Sequence, residues 1–387
     1  MTILALPSDL HQHRRKVRLY WFCIGLLVMS LTGLCWDCPA EAQPPQASLN
    51  EIREILRTRL YPPPQEADLQ ALTGQTLAQD LKNLDSYARY YPAETSPENI
   101  LPNNQLSGIG AQLFERNGQI LLSPFPRGPL TQAGVSERAE LLEVNGHLVQ
   151  GLALHEIAGM LHGEPESLVQ LKIRSLSSDS AQTVIVVRSS FRPLDVELIH
   201  TTQQPVLRIR QFIAGQTRSA LKASIDFLDL QESPLIIDLR ESGGGDLFEA
   251  LDCAALFVPQ GNSLGGLMTR ETGRSMVFSP PGDKACMPVV LLIGPDTASA
   301  AEVFAAALHS NDRGRLIGRP TYGKCTTQTE VTLSDGSVLR FTNGRILAPE
   351  GRQCHAQGLR PDFLVPENTL HDLQFLLEQT NVHTSCS

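Results

Sequence analysis

The chain has 387 residues, of which 42% are hydrophobic and 19% charged, with a mean hydropathy of −0.10. That is enough apolar content for two or three domains with buried cores, and it excludes disordered, collagenous and polytopic membrane classes. Lys and Arg number 32 against 41 Asp and Glu, a net charge of −9; no basic stripe beyond Arg18 could neutralise a run of phosphates, so no nucleic-acid partner is expected.

The N-terminus reads as an address. His11 to Arg18 is basic, Leu19 to Trp36 is an uncharged run of 18 residues, and Ala40-Glu41-Ala42 supplies a small-residue cleavage site. This order is that of a secretory signal over 1–42. The apolar run also approaches the ~20 residues that span a bilayer, so an uncleaved anchor, and with it membrane association, is the alternative. Cleavage leaves Cys253, Cys286, Cys325, Cys354 and Cys386, an odd number that leaves one thiol unpaired in a monomer.

Residues 43–104 begin as a Gln/Pro linker and continue as a helical region, with Ile52, Ile55, Leu56 and Leu60 at helical spacing and a break at Pro62-Pro63-Pro64. From 105 to 190 the pattern shifts to short strands, turns at Asn117-Gly118 and Asn145-Gly146, and a helix over Leu154–Leu161. Residues 191–366 read as mixed α/β. Pro234–Leu239 and Pro288–Ile293 are buried strands, Gly243-Gly244-Gly245 opens a helix, and Ser299–His309 forms another. The stretch Cys325–Leu333 pairs with Val338–Leu347 across Asp335-Gly336, and 367–387 is a helical tail.

Common hydrolase signatures are missing. There is no G-x-S-x-G, His155-Glu156 has Gly159 where a zincin needs histidine, and His and Cys do not cluster as metal ligands. No metal or cofactor is expected. Three segments remain. Asp296-Thr297-Ala298-Ser299-Ala300-Ala301-Glu302 puts a serine at a helix start, where it is either a cap or a nucleophile facing free N–H groups. Thr321-Tyr322-Gly323-Lys324 offers a lysine that acts as a base only if burial lowers its pKa. Asp238-Leu239-Arg240-Glu241-Ser242-Gly243-Gly244-Gly245 brings backbone close to a substrate and lacks the G-K-[ST] of a phosphate loop.

Taken in order, D-L-R-x-x-G-G-G, T-A-S-A-x-E and T-Y-G-K, with the lysine 25 residues after the serine, resemble the carboxy-terminal processing peptidases, the tail-specific Ser-Lys proteases. Asp335-Gly336-Ser337, Gly351-Arg352 and Gly358-Leu359-Arg360-Pro361-Asp362 fit the same family. Gly108-Ile109-Gly110, Ala133-Gly134-Val135 and Val144-Asn145-Gly146 look like its inserted PDZ domain. The resemblance covers residues 49–366. It implies a crotonase/Clp-like α/β core with a PDZ domain inserted at 105–190. It also implies Ser299 as nucleophile, Lys324 as general base and Gln328 as the residue orienting the lysine. The N–H groups of Gly244 and Ala300 form the oxyanion hole, Glu302 and Thr321 lend support, and Gly108, Ile109, Gly110 and Ala111 take the substrate terminus, with Ile109 lining an apolar pocket. The implied activity is an exported serine endopeptidase acting on protein or peptide substrates with free, apolar C-termini.

Five positions depart from that pattern: Ser310 stands for an Asp, Cys325 for a Gly, Ala139-Glu140 for Gly-Asp and His162 for an Arg. A Cys325–Cys354 disulfide, flanking the site, would tie Lys324 to redox state. Two other readings are a binding protein with a PDZ module on a dead protease core, and a Ser-His enzyme with His309 as base. Both Ser299 and Lys324 are present, against the first. His309 lies near the far end of a helix ~15 Å long, against the second.

Overall fold

The computed structural model describes residues 46–93 and 107–380, apart from 117, 153, 177–179, 192–193, 229, 231–232, 283 and 350–357. The chain divides into two units, Met1–Glu41 and Ala42–Ser387. The first, with the expected signal segment, lies outside the described residues, as do Cys354 and Cys386.

Three helices, Gln46–Arg59, Glu66–Ala71 and Leu77–Leu84, lead into β1 (Arg89–Tyr91). Their spacing of apolar residues gives one buried stripe: Leu49, Ile52, Leu56 and Leu60 join Leu69, Leu72, Leu77 and Leu81 in a core closed by Leu339 and Phe341 from far along the chain.

A second core belongs to a module between β2 (Ser107–Gly108) and β9 (Ser189–Ser190), which pair antiparallel so that the chain enters and leaves side by side. Between them lie β3 (Ala111–Arg116), β4 (Gln119–Pro124), β5 (Ala139–Val144), β6 (His147–Leu148), β7 (Leu168–Ser175) and β8 (Ala181–Val187). The sheet runs β3-β4-β5-β7-β8, with β3 at an edge. Short helix Pro129–Gln132 and helix Leu154–Leu161 bury Leu130, Ile157 and Leu161 against it.

The third region is layered α/β. Strands β10 (Val196–Ile199), β11 (Val206–Ile209), β12 (Leu235–Asp238), β13 (Ser263–Thr269), β14 (Gly273–Phe278), β15 (Val289–Ile293), β16 (Gly314–Gly318), β17 (Thr326–Thr332), β18 (Val338–Leu347) and β19 (Phe363–Leu364) build two sheets. One has the order β10-β11-β12-β15-β16-β19 and is parallel except for β10. Its strands are apolar on both faces because both are covered. Leu235, Ile237, Leu291 and Ile293 face helices Thr217–Leu228, Leu247–Ala254 and Ala300–Ser310, whereas Ile236, Val290, Leu292 and Ile317 face the tail helix Leu373–Glu378. The second sheet, β1-β18-β13-β14 with β17 on β18, carries the N-terminal helices.

Two elements differ from the sequence expectation. The helix after the three glycines begins only at Leu247, because Asp246 caps it by accepting from Glu249 N at 2.8 Å. Hairpin β13–β14 carries no strand signal in its Ser-Leu-Gly-Gly segment. There the missing Cβ is the point: one on Gly266 would stand 2.1 Å from Ser275 O, so only glycine lets the strands close.

Candidate active site

Ser299 closes the loop after β15 and caps the helix Ala300–Ser310 with φ 57° and ψ −123°, a conformation unusual for any residue but glycine. Such strain persists only where the surroundings fix it. Here Ala298 N donates to Ser242 O at 2.9 Å, and Thr297 Oγ1 donates to Leu239 O at 2.8 Å while accepting from Gly294 N. The serine loop is thereby tied to the Asp238–Gly245 loop.

Glu302, 1% exposed, organises the rest. Its Oε2 accepts from Ser299 N and from Lys324 N, both at 2.9 Å. Its Oε1 accepts from Gly323 N at 2.8 Å and from the Thr321 hydroxyl. Burial pushes the Glu302 carboxyl up from its ordinary pKa, while these four donors pull it back toward the ionised form. One carboxylate thus holds the backbone at both the serine and the lysine.

Gly244 lies directly against the serine. A Cβ there would stand 2.7 Å from Ala298 O, 2.8 Å from Ala300 N and 2.9 Å from Ser299 Cβ, and its φ is 100°. The backbone of Gly244 and the first N–H of the Ala300–Ser310 helix therefore converge beside Ser299, where intrahelical partners are lacking. Asp238, fully buried, is the foundation of this loop. Burial alone would raise its pKa, but the guanidinia of Arg240 and Arg208 hold it well below the usual carboxylate range.

Lys324 is partly buried. Burial, reinforced by Arg340, pushes its ammonium below the ordinary value, the direction a general base needs. Its Nζ lies 4.8 Å from the centre of the Tyr87 ring. Among the described residues it makes no hydrogen bond, including to Ser299 Oγ; such bonds commonly form only once substrate is bound. Gln328, expected to orient the lysine, sits at a bulge in β17, and its Nε2 donates to Thr326 Oγ1 at 2.9 Å. No metal-competent cluster of His, Cys, Asp or Glu occurs among the described residues.

A profile of peptidase family S41 matches residues 205–365, which contain every element of this site except Tyr87. The carboxy-terminal processing protease CtpA of Bacillus subtilis (strain 168) is 28% identical over 321 residues, covering 81% of this chain and 67% of that protein. A probable CtpA-like serine protease of Staphylococcus epidermidis (strain ATCC 12228 / FDA PCI 1200) is 29% identical over 346 residues, covering 87% and 70%. Among solved structures, the photosystem II D1 C-terminal processing protease superimposes with a TM-score of 0.64 at 23% identity, covering 86% of this chain and 90% of that one. Residues 205–365 thus match peptidase family S41, and most of the chain is similar to CtpA-type carboxy-terminal processing proteases. The chain spans about two thirds of the length of these curated relatives.

The segment that matches peptidase family S41 keeps its motif residues in one place, and the structure adds others that the sequence did not single out. Tyr87 comes from the N-terminal helical region. Arg138 of the module reaches Asp296 at 2.7 Å and Glu241 at 3.3 Å, and Glu241 also accepts from Ser123 Oγ at 3.1 Å and Arg210 at 2.8 Å. These bonds fasten the module to the two loops that carry Gly244 and Ser299. None has a local sequence signal, since each joins segments far apart in the chain.

The remaining expected residues fall as follows. Gly108 lies beside His162, whose ring carbon is 3.1 Å from where a Cβ would stand; His162 itself is exposed at its helix end, which Arg188 caps through Leu161 O and Met160 O. Ile109 is buried in the module core, 4% exposed, rather than facing an open pocket. The carbonyls of Ile109 and Gly110 accept from Leu130 N and Phe125 N, and Ala111 opens the edge strand β3. His309 is at the far end of its helix, with Nε2 3.0 Å from Asp362 Oδ1. Cys325 and Cys286 each take part in a disulfide and Cys253 is a free, buried thiol; Cys354, the expected partner of Cys325, is outside the described residues.

Proposed function

We propose that this S41 peptidase is an exported endopeptidase that takes the free, apolar C-terminus of a protein through a PDZ module over 107–190 and cleaves near that end with a Ser299–Lys324 dyad. Neutral Lys324 Nζ takes the proton of Ser299 Oγ as the oxygen attacks the scissile carbonyl carbon. The negative charge on the carbonyl oxygen is met by the N–H groups of Gly244 and Ala300, an interaction worth ~10²–10³ in rate per donor in comparable sites. As the C–N bond breaks, the Lys324 ammonium protonates the leaving amine. Lys324 then activates a water that hydrolyses the Ser299 ester.

The single observation that carries this reading is the Glu302 carboxylate accepting from the backbone of both Ser299 and Lys324. It holds nucleophile and base on one clamp, with the serine in a strained turn like those that expose other nucleophiles. Tail capture is supported by β3. As an edge strand beside helix Leu154–Leu161, it offers unpaired backbone groups to an added peptide strand. Export rests on the basic, apolar and A-x-A order of residues 11–42.

The test is incubation of the purified mature protein with a tagged protein ending in small apolar residues, beside Ser299→Ala. Cleavage near the tagged end by the wild type alone is the expected outcome. Capture without cleavage would instead make this a binding protein.

A further inference from the structure

We propose that Tyr87, delivered by the N-terminal helical region, is a positioning residue for Lys324: its ring roofs the lysine amine and completes the active site from outside the segment that carries the S41 motifs. The inference rests on the reading of Lys324 as general base.

Three observations carry it. Lys324 Nζ lies 4.8 Å from the Tyr87 ring centre and, among the described residues, has no hydrogen-bond partner, so the ring is its side-chain contact. Gln328 does not supply one, because its amide is turned to Thr326. Finally, Tyr87 is anchored. Asp85 Oδ1 accepts from Tyr87 N at 3.0 Å and from Thr342 Oγ1 at 3.1 Å, while Asp85 Oδ2 accepts from Thr342 N at 2.7 Å. Thr342 is the register partner of Gln328, so the turn that bears Tyr87 is pinned to β18 alongside the base of β17. Strand β1, paired with β18 from Arg89 to Tyr91, secures the same turn on its other side.

The ring acts on the amine in two opposed ways. Its face attracts the ammonium, an effect small at partly exposed sites. Its bulk keeps water from the amine, and desolvation can lower a lysine pKa by up to about 3–5 units when burial is complete. In the proposed arrangement, exclusion of water outweighs attraction; burial as a whole and Arg340 lower the pKa of Lys324. The other charged or titratable groups around the pair are Arg340 on β18, which also disfavours the ammonium, and Glu302, Tyr322 and Asp85, which face Tyr87. None of these is removed with the ring.

The experiment is the pH dependence of kcat/KM for wild type, Tyr87→Ala, Tyr87→Phe, Asp85→Ala and Lys324→Ala. Tyr87→Ala admits water, so its rising limb moves to higher pH by about half a unit or more, and its rate at neutral pH falls several-fold and recovers in part at alkaline pH. Tyr87→Phe keeps the ring and holds the limb at the wild-type position. Asp85→Ala, which touches neither Ser299 nor Lys324, moves the limb in the same direction as Tyr87→Ala. A Tyr87→Ala limb that superimposes on wild type, or a Tyr87→Phe limb that moves equally, overturns the inference. Should Tyr87→Ala fail to melt cooperatively, the pH midpoint of Lys324 acetylation by acetic anhydride, read by peptide mass spectrometry in Ser299→Ala with and without Tyr87→Leu, decides it: a shift toward higher pH supports the ring, and no shift overturns it. Activity persisting in Lys324→Ala would sink the dyad itself, an outcome separate from a limb that fails to move.

Discussion

Four hydrogen bonds to one buried carboxylate make Glu302 the side chain on which the site geometry turns. In Glu302→Gln one acceptor oxygen becomes a donor NH₂ facing backbone N–H groups. A misplacement of that kind is worth about 10²-fold in rate. Steady-state kinetics should show it as a fall in kcat with KM little changed, and an equal rise in KM would make Glu302 a binding residue instead. In the proposed dyad, Lys324 sets the pH dependence. Its pKa is lowered, and only the neutral amine is a base, so kcat/KM should rise from neutral to alkaline pH with a midpoint below the ordinary 10.5. A rate that falls over that range would exclude an amine as base. Ser299 and Lys324 were readable in the sequence because each stands in a short motif at the end of a strand. Tyr87 was not, because nothing local marks a tyrosine that meets its lysine only through strand pairing between distant segments.

At the level of elements, the glycine loop after β12 packs against the serine turn and, in the proposed mechanism, lends an oxyanion donor. Gly244→Ala forces a Cβ to within 2.7–2.9 Å of Ala298 O, Ala300 N and Ser299 Cβ at φ 100°. It should abolish cleavage while leaving the melting transition cooperative; a variant with near-normal activity would remove Gly244 from the oxyanion hole. Beneath it, Arg240→Ala strips the buried Asp238 of one of its two guanidinium partners and should destabilise the fold by about 3–5 kcal/mol in denaturant titration. A change under 1 kcal/mol would mean that Arg208 alone suffices. Helix Leu154–Leu161 and strand β7 were legible from apolar periodicity, β15 from an unbroken apolar run and β18 from the Asp335-Gly336 turn that pairs it with β17. Hairpin β13–β14 was not: a Gly-Gly pair reads as a loop until the partner strand that needs the space is known.

Over the whole molecule, the module meets the α/β core at Arg138, Asp296, Glu241 and Ser123, beside the loops that carry Gly244 and Ser299. The proposed PDZ role of the module predicts that it reads substrate tails. Peptides sharing one scissile bond but ending in a free apolar residue, an amidated one, or Asp or Lys should be cleaved fastest in the first case. Identical rates would mean that tails are not read. The disulfide at Cys325, next to Lys324, predicts a redox dependence: mild reductant should slow cleavage, and unchanged rates would leave Cys325 a packing residue. The most direct test of the Ser-Lys assignment is the cleavage rate of one tagged substrate by wild type, Ser299→Ala, Lys324→Ala and the double variant, with folding matched by thermal melting. A nucleophile and base that act as one unit predict that each single variant falls to the level of the double. A Lys324→Ala variant that retains appreciable activity, or losses that multiply in the double variant, would contradict the dyad.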